Sequence, residues 1–305
     1  MPNADPKHIA AEARTHAAEA AASLGALPDG VSLSRFIADY AAVGDMVHYV
    51  TVPEPAADAV RKVSAAHGPE GARTFLRAAL AQGAADLVES GRLDALPPRI
   101  LHYQLKHLAR IAGATAANAD WMDIERDLFH KDFGLVTLRL FAAAAQLLDI
   151  RCGIPRSILF TEGALASVRK GQAIMGMGGF KPYVQIHTHL SDLDDFNEEG
   201  WNACYRCCAE LYERMPQLLG MFGASWFYDP ALDEISPRLA YLRKIPEDGG
   251  AHLFYVSSGG SQIDNATSTS PSRRKLYEEG KYMPKSYMLA WGRREQMAWA
   301  KRNPG

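Results

Sequence analysis

The sequence predicts a mixed α/β protein, with a helical domain over residues 1–150 and an α/β domain over residues 151–305. Three observations carry that expectation. Residues up to about 150 are rich in alanine and leucine at helical spacing, with few internal breakers. After Arg151-Cys-Gly-Ile-Pro155 the texture changes to short strand-like runs separated by helical or loop stretches. The chain has 305 residues, 48% hydrophobic and 22% charged, which is enough apolar material to bury one large core or two ordinary ones.

In the first half, helices are expected over 7–24, 33–44, 56–66, 70–90, 97–113, 119–129 and 133–149. They are punctuated at Pro28-Asp-Gly, Pro53-Glu-Pro55, His67-Gly-Pro69 and Pro97-Pro98. Segment 7–24 carries little apolar bulk and reads as a surface or partner-packing helix. Leu101, Leu105 and Leu108 share one helical face, as do Leu138, Phe141, Ala145 and Leu148. In the second half, strands are expected over 156–161, 181–189, 222–228, 251–258 and 285–292. The clearest helix there covers 197–214, with Trp201, Cys204, Cys208 and Leu211 on one stripe.

Composition narrows the function classes. A net charge of -2, from 33 Lys+Arg against 35 Asp+Glu, gives no footprint for nucleic acid. No apolar run reaches the roughly 20 residues of a membrane span, so no membrane partner is expected. No secretory leader is visible, and four cysteines do not make a disulfide framework, so a soluble, cytoplasmic setting is expected. Cys204, Cys207 and Cys208 at helical spacing read as small core residues.

Three constellations could carry chemistry. In Ile186-His187-Thr188-His189, strand alternation puts His187 and His189 on one face, about 7 Å apart at Cα. With Asp192 they could hold zinc, iron or manganese. Without metal, one histidine could serve as general base or bind substrate, or the pair could be structural. In His130-Lys-Asp132-Phe-Gly-Leu-Val-Thr-Leu, the His-x-Asp pair is similar to half of the iron site of 2-oxoglutarate-dependent oxygenases, although Leu135–Ile150 reads as helix. As part of a helix, Asp132 is a good N-cap. The third is the hydroxyl-rich helix start at Thr267-Ser-Thr-Ser-Pro271. There Ser272, Arg273 and Arg274 could meet an anion such as phosphate, or simply belong to a capped surface helix.

A strand at His252-Leu-Phe-Tyr-Val256, a helix reading Arg274-Lys-Leu-Tyr277-Glu-Glu-Gly and a closing strand at Pro284–Trp291 resemble the end of the GNAT acyltransferase fold. The resemblance implies that strand 181–189 and helix 197–214 are that family's central strand and pyrophosphate-binding helix. It also implies an acyl-CoA or other acyl donor, with Tyr277 protonating the departing thiolate. Where that family has a basic, Gly-rich loop, this chain has Leu190–Gly200, with Asp192, Asp194, Asp195, Glu198 and Glu199. Those acids suit a helix N-terminus, where they offset the dipole. The expected activity is therefore acyl transfer to a small amine or hydroxyl. His187 or His189 would be the base, Tyr277 the acid, and Ser272, Arg273 and Arg274 the anion contacts. The alternative is a metal-dependent (non-haem iron-type) oxygenase or lyase using His187, His189 and Asp192, with His130 and Asp132, and a divalent metal such as iron or zinc. A third reading is a non-catalytic small-molecule or protein-binding module on a GNAT-like fold. A homo-oligomer is compatible with all three.

Overall fold

The computed structural model describes residues 5–44, 47–114 and 121–305. It divides into two compact units, one made of residues 1–151 with 188–193, the other of 152–187 with 194–305.

The first unit is built on α1 (Pro6–Leu24), α2 (Leu33–Ala41), α3 (Glu54–Glu89), α4 (Pro98–Ala114) and α5 (Asp127–Thr137). Asp5 caps α1 by accepting the Lys7 N–H, and Ser32 caps α2 by accepting that of Arg35. Ile9, Ala10, Ala13, Ala17 and Leu24 are the buried face of α1, which packs on α3; small side chains let the two backbones approach closely. Segments 56–66 and 70–90, expected as separate helices, are the two parts of α3, divided at Gly68, whose backbone (φ 72°, ψ 178°) is not helical, and Pro69. The left-handed glycine ends the first helix and the proline opens the second, which is the break the sequence marks at His67-Gly-Pro69. Of the helix expected over 119–129, residues 119–120 lie outside the described residues, and the helix begins only at Asp127.

The helix expected over 133–149 is corrected more deeply. Leu138 takes a left-handed conformation (φ 57°), its N–H returns to the carbonyls of Gly134 and Leu135, and α5 stops. The chain continues as an antiparallel hairpin, β1 (Leu140–Ala143) and β2 (Gln146–Cys152), from Leu140↔Asp149 to Ala143↔Gln146. Both faces of β1 are buried, so the polar alternation that marks a strand is missing and the apolar spacing imitates a helix.

In the second unit, β3 (Tyr183–His187), β4 (Gly220–Ser225), β5 (His252–Ser258) and β6 (Lys285–Gly292) pair in the order β3-β4-β6-β5. β3 and β4 run parallel, joined through α7 (Glu198–Arg214); β6 is antiparallel to both neighbours. Asn197 caps α7 and Glu198 and Glu199 fill its first turn, the place assigned to those acids from the dipole. The stretch expected as strand 156–161 is a tight turn, Arg156–Phe160, with Ile158 as its buried residue, followed by α6 (Ala164–Gly176). α8 (Leu232–Ile235), α9 (Tyr241–Asp248), α10 (Ser261–Thr267), α11 (Pro271–Glu278) and α12 (Arg293–Arg302) complete this unit. A core of Ile154, Ile158, Ile174, Tyr183, Phe222, Phe254 and Met288 lies within it. Among the described residues, no helix is long and apolar enough to cross a membrane.

Candidate functional site

In the first unit, α4, α5 and residues 188–193 bring ionisable side chains into one buried cluster. α4 supplies His107 and Arg110, α5 supplies Asp132, and the segment after β3 supplies His189 and Asp192. His107, Asp132, His189 and Asp192 are all buried. Arg110 grips Asp132 with both terminal nitrogens, Nη1 to Oδ2 at 3.2 Å and Nη2 to Oδ1. Burial alone would raise the Asp132 pKa, but Arg110 and His189 outweigh it and hold the carboxyl at about 2.

The protons in this cluster are fixed by donors that cannot reverse. Arg110 Nη2, which can only donate, lies 3.3 Å from His107 Nδ1. Nδ1 is therefore an acceptor, and the proton sits on Nε2, 3.0 Å from Asp192 Oδ2. The Ser191 backbone N–H donates to His189 Nδ1 at 3.0 Å, which leaves the hydrogen on Nε2; that atom lies 3.3 Å from Asp132 Oδ1 without a well-aligned hydrogen bond. Burial pushes the His107 pKa below its ordinary value against the pull of Asp192, so the ring is neutral at pH 7. The ligand-type atoms of His107, His189 and Asp192 lie within 4.8 Å of one another. With these tautomers each Nε2 carries a hydrogen, so a cation could bind only by displacing both protons. The same contacts position residues 188–193. Lys131 adds to this positioning, donating to the Thr188 carbonyl at 2.6 Å, as does the Gln146 amide, 3.1 Å from the Thr188 hydroxyl.

His130 and Asp132, read together from the sequence, turn to different partners. The Tyr40 hydroxyl is hydrogen-bonded to His130 Nδ1, and burial lowers the His130 pKa. His187 ends β3 in the second unit, whereas His189 lies beyond the strand and belongs to the first.

In the second unit, Arg273 is buried. Its Nε donates to the Ala266 carbonyl at 2.6 Å and its Nη1 to Ser236 Oγ at 3.2 Å, and the guanidinium stacks over Trp226. Ser270 caps α11 by accepting the Arg273 N–H, while Ser272 and Arg274 are exposed and Tyr277 is half-buried.

The second unit also holds a feature to which the sequence assigned no catalytic role. The β3–β4 ladder consists of Val184↔Met221 and Gln185↔Phe222, yet β4 continues to Ser225, paired there only with β6. At Gly223 a Cβ would meet Ile186 Cγ1 at 2.6 Å and the Tyr228 hydroxyl at 3.3 Å. Tyr228 is buried, and its hydroxyl has no hydrogen-bond partner among the described residues. Burial raises its pKa, so the group stays a protonated donor. In the sequence Trp226, Phe227 and Tyr228, with Tyr241 and Arg238, form an aromatic run that could line a pocket but is more usually core.

No family model and no curated relative matches the chain. A solved structure described as an acyltransferase in complex with decanoyl-CoA is similar at 13% identity and a TM-score of 0.41, covering 94% of this chain and 99% of that one.

Proposed function

We propose that the chain transfers an acyl group from a thioester donor, acyl-CoA, to a small amine or hydroxyl. The observation that carries this reading is the stretch of β4 beyond the β3 ladder, beside which the Tyr228 hydroxyl is buried without a hydrogen-bond partner among the described residues. A thioester carbonyl laid beside β4 would accept from Tyr228, which supplies the donor that an oxyanion needs when the acceptor attacks. The acceptor nitrogen or oxygen bonds to the acyl carbon, the C–S bond breaks, and the thiolate leaves. His187, at the end of β3, takes the acceptor's proton as general base. Tyr228 thus joins the acid role read from sequence at Tyr277, which the proposal keeps for the departing thiolate. Exposed Ser272 and Arg274 are the anion contacts, and Arg273 holds α11 in place.

The test is calorimetric titration with coenzyme A and acyl-CoA, followed by thiol release in the presence of small amines and alcohols. Binding and amine-dependent thiol release are expected. Tyr228→Phe should lower kcat about a hundredfold with an unchanged or higher thermal midpoint, since the lost hydroxyl leaves no broken bond. Coenzyme A binding without turnover would make the chain a binding module. No binding would overturn the proposal.

A further inference from the structure

α6 is built the wrong way round for a helix of a water-facing surface. Its buried side holds Ile174 together with Lys170, whose ammonium is wrapped by the Ile158 carbonyl, the Thr161 hydroxyl, the Tyr255 carbonyl and Glu162. Its outer side carries Leu165, Val168 and Met175, which are 66%, 58% and 63% exposed; Phe160, in the turn just before, is 78% exposed. Leu165, Val168, Gln172 and Met175 follow i, i+3, i+7, i+10, so they form one stripe. Of the exposed large apolar side chains among the described residues, half fall in this one stretch of sixteen residues. Scattered exposed leucines need no explanation, whereas a contiguous stripe marks a surface that something covers.

The charge around the stripe says what. From 152 to 181 the one acidic residue is Glu162, which the buried Lys170 already occupies at 2.8 Å, while Arg156, Arg169 and Lys181 are exposed. An apolar stripe with exposed Arg169 on the same helix, in a stretch of chain whose remaining exposed charges are cationic, complements an anionic lipid surface, in which the side chains enter the acyl boundary and the cations meet headgroup phosphates. A second copy of the chain docked on this stretch would bring like charges together, with Arg169 the exposed charge of α6 itself. We infer that α6 and Phe160 form a docking face that lies in the plane of an anionic membrane. This is a surface association, which the absence of a spanning helix does not address, and it stands independently of the proposed acyl transfer.

The full chain should sediment with phosphatidylcholine vesicles containing phosphatidylglycerol, should not sediment with phosphatidylcholine alone, and should be released at high salt. Leu165→Glu and Val168→Glu should each lower the partition coefficient about tenfold, and Arg169→Glu should lower it less. All three positions are exposed, so thermal midpoints should not move; Arg169→Gln provides a milder variant that keeps the helix surface polar. Recovery of the wild-type chain in the supernatant with both vesicle types would overturn the inference. So would vesicle binding that Leu165→Glu and Val168→Glu leave unchanged. Self-association in sedimentation velocity that Val168→Glu abolishes, without vesicle binding, would assign the face to a second copy instead.

Discussion

His107 shows how a single side chain ties this structure to pH. In the folded chain burial keeps the ring neutral, with its pKa below the ordinary 6.5, and His130 is shifted the same way. Below pH 6.5 the unfolded chain takes up protons that the folded chain refuses, so stability is full above that pH and falls on acidification. The slope is about 1.4 kcal/mol per pH unit for each such histidine. Asp132 acts lower down. Its carboxyl, held at about 2 against 3.8 in the unfolded chain, contributes stability above pH 4 that is lost between those two values. Urea unfolding across a pH series checks this. His107→Gln, which can still accept from Arg110 and donate to Asp192, should flatten the slope below pH 6 by up to about 1.4 kcal/mol per unit. An unchanged slope would mean that His107 takes up its proton without unfolding. Little of this was legible in the sequence. His189, Asp192 and Asp132 stood out as polar residues in suggestive spacing, but nothing singled out His107 and Arg110 on the helix expected over 97–113. The signal that was there, Gln104-x-x-His107-x-x-Arg110, is a polar stripe whose burial only the packing of α4 reveals.

At the scale of elements, legibility follows burial. Strands β3 to β6 were found within a few residues because turns and helices separate them and because β5 has one wetter face. The β1–β2 hairpin was missed because it is enclosed on both sides, and four consecutive alanines look like a helix to any propensity scale. Its two-residue turn has a consequence that can be measured. Ala144 sits at φ 54°, a left-handed conformation costing an L-residue about 1–2 kcal/mol, which glycine avoids. Ala144→Gly therefore should be neutral or stabilising by up to about 1 kcal/mol, after glycine's extra unfolded-state entropy is set against the relief. Denaturant midpoints of the two chains decide it. A loss of more than that would show that the alanine methyl, itself buried, contributes more by packing than the backbone loses by strain.

At the scale of the molecule, the sequence boundary near residue 150 and the division at 151–152 look alike, but the structure adds residues 188–193 to the first unit. No local pattern announces that return, because His189 and Asp192 are claimed by partners more than fifty residues earlier in the chain. A fragment ending at Arg151 would contain Arg110, His107, Asp132 and Lys131 but none of the groups they hold in residues 188–193. It should unfold at a markedly lower temperature than the whole chain and lose its sharp transition, which calorimetry on the fragment measures; a cooperative transition at the full-length midpoint would sink the idea. The same excursion bears on inheritance. Because the chain leaves one unit, lends six residues to the other and goes back, no single recombination joint separates the two with their parts complete. A crossover at 151 strands the histidine and the aspartate with the wrong half, and one after 193 carries β3 away from the strand it pairs with. The two units are thus bound to be shuffled, duplicated or lost together.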